Sequence, residues 1–180
     1  MGRWSVHYFP ITDKHLENFM RHLPRPKDCV INAIELLGIV HQDIAGLMRI
    51  LVGNTGVGPD QITDIFRWVY PDYNWRFHSI PISYTTRSDI LHHFSNIPPG
   101  RVVFGGVAWT GGERHVILFG KSADGTLVAI DPQATQRIII GMDAVLKAYL
   151  ALASEVYFLE SDAIHGDGDD RMGDDRMDES

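Results

Sequence analysis

The sequence predicts an α+β fold, in which helices come first and a mostly antiparallel sheet follows. Up to about residue 96, apolar residues recur at helical spacing, in segments that begin at capping residues and end at glycine, asparagine or proline. From residue 101 onward, short apolar segments alternate with turn sequences, as strands do. Because helical and strand segments are segregated along the chain, the fold class is α+β.

All of the predicted helices except the one over 41–51 begin at a residue that suits a helix N-terminus. Asp28 caps a helix that starts at Cys29 and ends at Gly38, and a second helix covers 41–51. A third helix runs from Pro59 to Val69, a fourth follows a Thr86 or Ser88 cap as far as Asn96, and a fifth covers 144–153 behind Asp143. The predicted strands cover 75–82, 101–109, 115–121, 126–130, 137–140 and 155–159, and residues 4–9 suit a short strand or a lead-in segment.

The segment 113–133 contains the strongest hairpin signal of the chain. Two apolar strands flank a turn with Asp124-Gly125, and Gly125 suits the left-handed position of a three-residue loop. With that loop length, His115 and Asp131 become diagonal neighbours on the same face of the hairpin, about 7–8 Å apart. A loop of two or four residues would put them on opposite faces. The hairpin therefore predicts that an imidazole and a carboxylate meet.

The chain length of 180 residues predicts one domain, over residues 1–160, followed by a disordered acidic tail over residues 161–180. The tail contains eight acids and two bases, a net charge of −6, so residues 1–160 carry only −1 of the total −7. The body has no excess of positive charge, which argues against a nucleic-acid partner. The tail lacks the spacing of an EF-hand calcium loop.

Several other classes are disfavoured by missing patterns. No apolar run approaches the roughly 18 residues of a membrane span, and residues 1–10 lack the apolar core of a signal peptide. The single cysteine excludes an internal disulfide framework and predicts a reducing, intracellular compartment. The chain has no Cys-x-x-Cys and no paired histidine spacing, and its glycine-rich segment 53–58 lacks the Gly-Lys-Ser/Thr end of a phosphate-binding loop. Neither a metal nor a cofactor is therefore expected.

Three residues suggest nucleophilic catalysis. Cys29 opens a helix, whose partly positive N-terminus favours the thiolate form. His115 would accept the thiol proton, and Asp131 would hold the ring and fix its tautomer. Each residue also has an ordinary structural interpretation: a small buried cysteine, a surface histidine at a strand start, and a turn aspartate before Pro132. The three together are more specific than any one alone.

Other residues have candidate roles around this triad. Trp109 could wall the site or pack the sheet, and Gln133 could bind substrate or brace Asp131. The backbone N–H of Cys29 is a natural oxyanion donor. For a second donor, His22 is a candidate together with Asn18 and Lys27, and none of them stands out.

The order of these residues resembles the papain-like cysteine peptidase superfamily. In that family a nucleophilic cysteine opens a helix, and a histidine and then an aspartate or asparagine follow on successive strands; the matching positions here are Cys29, His115 and Asp131. The segments 114–116 and 130–133, the latter reading Ile-Asp-Pro-Gln, are similar to papain-fold enzymes of bacterial toxins, effectors and large DNA viruses. The resemblance covers about residues 25–135 and implies amide-bond chemistry in a cleft between helical and sheet halves.

The chain departs from the family pattern in two ways. No glutamine precedes Cys29 to serve the oxyanion hole, and the Cys-Gly-x-Cys-Trp motif of secreted, disulfide-bonded proteases is absent. The expected function is a cysteine protease-like hydrolase that cleaves peptide or isopeptide bonds of a protein or peptide substrate, including ubiquitin-like conjugates. The alternatives are a glutamine deamidase or transglutaminase on the same fold, and a catalytically inactive binding protein.

Overall fold

The computed structural model describes residues 3–12, 29–39, 59–132 and 137–164, and the single positions 14, 17, 44, 45 and 48. The predicted helix at 41–51 falls mostly outside the described residues. The Asp28 cap and the segment 165–180 lie outside them. No helix within the described ranges is long and apolar enough to cross a bilayer.

The fold is α+β, as predicted, and the described strands form one antiparallel eight-stranded sheet. Its helices are α1 (Cys29–Leu36), α2 (Pro59–Val69), α3 (Arg87–Ser95) and α4 (Met142–Val145), the last continued by a π-helix (Leu146–Leu150). Its strands are β1 (Ser5–Val6), β2 (Tyr8–Pro10), β3 (Tyr73–Pro81), β4 (Arg101–Trp109), β5 (Arg114–Lys121), β6 (Leu127–Asp131), β7 (Arg137–Ile140) and β8 (Ala153–Ala163).

Strand β8 connects the two parts of the sheet. It pairs with β3 along one edge and with β4 and β1 along the other, while β4, β5, β6 and β7 follow one another as a meander. Strand β2 pairs with the start of β4. The meander places β5 and β6, which carry His115 and Asp131, next to each other within the sheet.

The predicted strands of the meander are confirmed, but the last strand is longer than predicted. Strand β8 continues through Ala163, and Ser161 and Asp162 are buried. The prediction that the tail starts at residue 161 is wrong: residues 161–163 pair with β1 and β3 and belong to the sheet. The alternation of small and charged residues does not indicate a strand here, because the partners of its polar side chains are distant in sequence: Ser161 contacts the His7 ring, and Asp162 accepts from the Arg3 N–H.

The last helix also differs from the prediction. It begins at Met142 rather than behind an Asp143 cap, because Gly141 takes a positive φ of 100° and turns the chain two residues earlier. It ends at Leu150 as a π-helix, in which the Ala151 N–H donates to the Leu146 carbonyl at 3.1 Å. Strand β8 then begins at Ala153. The sequence pattern does not reveal this wider turn.

Helices cover the sheet on both faces and produce two hydrophobic cores. Helices α1 and α2 pack on what we call the first face, together with Val116 and Leu118 of β5. Helix α3, helix α4 and the π-helix pack on the second face, together with Ile117 and Phe119 of the same strand. Since side chains alternate along a strand, His115 lies on the second face.

The β5–β6 hairpin has the predicted register. The Ser122 N–H donates to the Thr126 carbonyl at 3.0 Å, Leu118 pairs with Ile130, and Gly125 has a φ of 88°. Asp124 accepts hydrogen bonds from the Ser122 hydroxyl and the Thr126 N–H, and these bonds hold the pKa of its carboxyl below the ordinary value. This turn chemistry fixes the three-residue loop and, through it, the shared face of His115 and Asp131.

Candidate active site

The centre of the candidate site is a hydrogen bond between His115 and Asp131. His115 Nε2 lies 2.8 Å from Asp131 Oδ1, and the two side chains are only 13% and 4% exposed. An ionised carboxylate can only accept, so the contact assigns the proton to Nε2 when the ring is neutral. The carboxylate thereby fixes the tautomer in which Nδ1 has the lone pair, which is the form a general base requires. The predicted juxtaposition is confirmed.

Asp131 has a second hydrogen-bond partner, a tyrosine hydroxyl, which the sequence did not suggest. The Tyr149 hydroxyl donates to Asp131 Oδ2 at 3.1 Å, and Tyr149 is itself buried in the π-helix. Both oxygens of the carboxylate are therefore engaged. The only sequence signal was that a buried tyrosine needs a partner for its hydroxyl, which does not identify that partner.

Trp109 lies against the imidazole, at the end of β4. Its ring is stacked on that of His115, with centroids 5.8 Å apart and planes inclined by 27°. Trp109 follows a bulge between β4 and β8, which changes the register after Ala108. The indole covers part of the ring and reduces the access of water to the His115–Asp131 contact. A role for Trp109 in substrate binding remains a prediction.

Cys29 is the first residue of α1, as predicted, although its side chain lies outside the described part of the structure. The helix packs on the first face of the sheet, whereas the side chains of His115 and Asp131 lie on the second face. Its link to the hairpin is Asn32, whose buried side-chain amide donates to the Pro132 carbonyl at 3.0 Å. Residues 29 and 32 are neighbours on one side of a helix, and Pro132 directly follows Asp131. The first turn of α1 is thus tied to the end of the hairpin that carries the dyad.

The Asn32 anchor should be measurable as a stability effect. Asn32→Ala leaves the Pro132 carbonyl without this donor in a buried region, and we expect it to lower the free energy of unfolding by about 1–3 kcal/mol. Asn96→Ala is the matched control, since Asn96 is exposed and its side chain contacts His92, four residues earlier; its effect should stay within about 0.5 kcal/mol. Urea unfolding of the two variants makes the comparison, and equal losses would contradict the anchoring role.

Two predicted site residues cannot be placed. Gln133 and His22 lie outside the described residues, so their substrate-binding and oxyanion roles remain predictions.

The backbone of His115 contacts a tyrosine on the other face of the sheet. The Tyr157 hydroxyl, on the first face, donates to the His115 carbonyl at 3.4 Å. It does so across Gly106, where any side chain would collide with both groups.

Two other histidines, His7 and His93, lie in packed surroundings. The His7 ring, for which the sequence suggested no partner, lies 2.7 Å from the Ser161 hydroxyl among aromatic side chains, and burial lowers its pKa. His93 stacks on Phe158 at 4.9 Å; burial, followed by the nearby His78, lowers its pKa. Among the described residues, no three histidine, cysteine or acidic side chains converge as metal ligands would.

Comparison with known proteins adds no assignment. No family model matches the chain, and no curated protein shows significant similarity to it.

Proposed function

We propose that this protein is a cysteine-dependent hydrolase that cleaves peptide or isopeptide bonds, with Cys29 as nucleophile, His115 as general base and Asp131 as the residue that orients it. The observation that supports this most is the buried 2.8 Å contact between His115 Nε2 and Asp131. A carboxylate that holds one ring nitrogen prepares the other for proton transfer.

Cys29 is supported as the nucleophile by its place at a helix start and by one contact of that helix. The body of α1 packs on the first face, so Cys29 would meet the dyad at the end of the hairpin. Cys29 opens this helix, and the Asn32–Pro132 hydrogen bond ties the same helical turn to the end of the hairpin. A helix N-terminus favours the thiolate over the thiol, and its backbone N–H groups suit a developing oxyanion. The arrangement of helix start, histidine and aspartate in this order is what the papain-like resemblance implies, and a papain-like fold is part of the proposal.

The reaction would proceed in two stages. The Cys29 thiolate attacks the substrate carbonyl and forms a tetrahedral intermediate, and His115 Nδ1 delivers its proton to the leaving amine. Water then attacks the thioester with His115 as base, which regenerates the thiol and releases the acid. Asp131 keeps its hydrogen bond to Nε2 throughout and stabilises the imidazolium. The substrate would be a protein or peptide, with ubiquitin-like conjugates as one class, and the expected compartment is intracellular.

The same residues would also serve a glutamine deamidase or transglutaminase. In that case the thiolate attacks a side-chain amide and releases ammonia rather than a new amine terminus. The third candidate is a binding protein whose Cys29 is inert. The three candidates differ in what depends on Cys29: new amine termini, released ammonia, or no product. Analysis of the products therefore separates them.

The experiment is incubation of a complex peptide mixture with the full chain and with Cys29→Ala. The proposal predicts new amine termini, detected by mass spectrometry, only with the natural chain. If deamidated glutamines appear without new amine termini, the protein is a glutamine deamidase or transglutaminase rather than a peptide hydrolase. If neither product depends on Cys29, repetition with ubiquitin-like conjugates decides, and no cleavage there would overturn the enzymatic proposal in favour of the binding protein.

A further inference from the structure

Asp131 is held from two sides by two elements that are distant in sequence. Its Oδ1 faces His115 Nε2 at 2.8 Å, and its Oδ2 accepts from the Tyr149 hydroxyl at 3.1 Å. With both oxygens engaged, the carboxylate cannot rotate without losing a hydrogen bond. The orientation of the carboxylate, and with it that of the ring, therefore depends on the π-helix as well as on the hairpin.

Tyr149 is placed rigidly enough to exert this control. The residue is 4% exposed and belongs to the second core, with Val145 and Leu150 of the same helical segment. The helix widens to a π-turn at Leu146–Leu150, and this conformation is often found at functional sites. Nothing in the packing of an apolar core requires a hydroxyl here, because phenylalanine would supply the same ring.

We infer that Tyr149 is a positioning residue: its hydroxyl fixes the Asp131 carboxylate so that the carboxylate holds His115 in the orientation that activates Cys29. The catalytic meaning of this inference rests on the proposed function, whereas the control of His115 through Asp131 does not. A hydrogen bond to a charged acceptor is stronger than one between neutral groups, so loss of the hydroxyl should be felt at the ring.

The test compares Tyr149→Phe with Tyr157→Phe, a matched control. Tyr157 is also a buried tyrosine, but its hydroxyl reaches the backbone carbonyl of His115 from the first face. The direct readout is the exchange of the His115 Nε2 proton with water, followed by nuclear magnetic resonance. We expect exchange to be about tenfold faster in Tyr149→Phe, the factor that loss of one charge-assisted hydrogen bond implies, and nearly unchanged in Tyr157→Phe.

The second readout is the pH profile of Cys29 alkylation by iodoacetamide. In Tyr149→Phe the midpoint should rise by about one pH unit towards that of a free thiol. A purely structural role would lower stability without moving this midpoint. Unchanged proton exchange in a folded Tyr149→Phe, or equal acceleration in both variants, would overturn the inference.

The two proposals fail in different ways. If Cys29 of the natural chain reacts only as a free thiol, the proposed function fails, while faster exchange in Tyr149→Phe would still establish the control of His115. If Tyr149→Phe does not fold, the natural chain provides the measurement: the hydroxyl proton of Tyr149 should exchange slowly with water. A rapidly exchanging hydroxyl proton would contradict the hydrogen bond on which the inference depends.

Discussion

His115→Ala should lower the Cys29-dependent release of new amine termini by about 10²–10⁴-fold, the usual contribution of a positioned general base. The variant removes the group that takes the thiol proton and later protonates the leaving amine. It also leaves Asp131 without its imidazole partner in a buried place. The measurement is the initial rate on the same peptide mixture that tests the proposed function.

The control for this prediction is His92→Ala. His92 lies on the exposed side of α3 and contacts Asn96, away from the hairpin, so its loss should leave the rate within a factor of two or so, about 0.5 kcal/mol. Both variants need a check of folding by circular dichroism. A folded His115→Ala that kept more than a tenth of the natural rate would contradict the role of His115 as base.

Gly106→Ala should destabilise the fold by about 3 kcal/mol, at the upper end of ordinary overpacking costs. A Cβ at this position would lie closer than 3.0 Å to the His115 carbonyl oxygen and to the Tyr157 hydroxyl. The carbonyl belongs to the neighbouring strand of the sheet and cannot withdraw as a flexible side chain would. Strand β5 would have to move, so the His115 ring should be displaced as well.

Gly111→Ala is the matched control, since a Cβ there meets nothing within 4 Å. Its effect on the free energy of unfolding should stay within about 0.5 kcal/mol. A second variant removes one of the collisions: adding Tyr157→Phe to Gly106→Ala takes away the hydroxyl. Because the ring carbon Cζ would still lie 2.6 Å from the added Cβ, only a small part of the loss should be recovered. Urea unfolding measures all three proteins, and equal stability of the two alanine variants would disprove close packing at Gly106.

The dyad could be predicted because the signals that produce it are local. Gly125 fixes the loop, the loop fixes the register, and strand alternation then places His115 and Asp131 on one face. Each step involves residues within one hairpin. The start of α1 at Cys29 was predictable for the same reason, since the boundary of a helix depends on its adjacent residues.

The supporting contacts could not be predicted, because they join segments far apart in the chain. Asn32 and Pro132 are separated by 100 residues, and their hydrogen bond depends on how α1 lies on the first face. Tyr149 reaches Asp131 from a helix that begins early, at Met142, and widens into a π-turn. Periodicity indicates that such residues are buried, but it does not identify which polar atoms they meet.

The pH dependence of Cys29 alkylation by iodoacetamide, in the native full chain, tests the central claim most directly. Cys29 is the only cysteine, so every modification reports on one thiol. The account predicts a midpoint well below the ordinary thiol value of about 8.5, which returns to about 8.5 in His115→Ala. A midpoint near 8.5 in both proteins, or no reaction until the chain unfolds, would contradict a thiolate activated by His115 and Asp131.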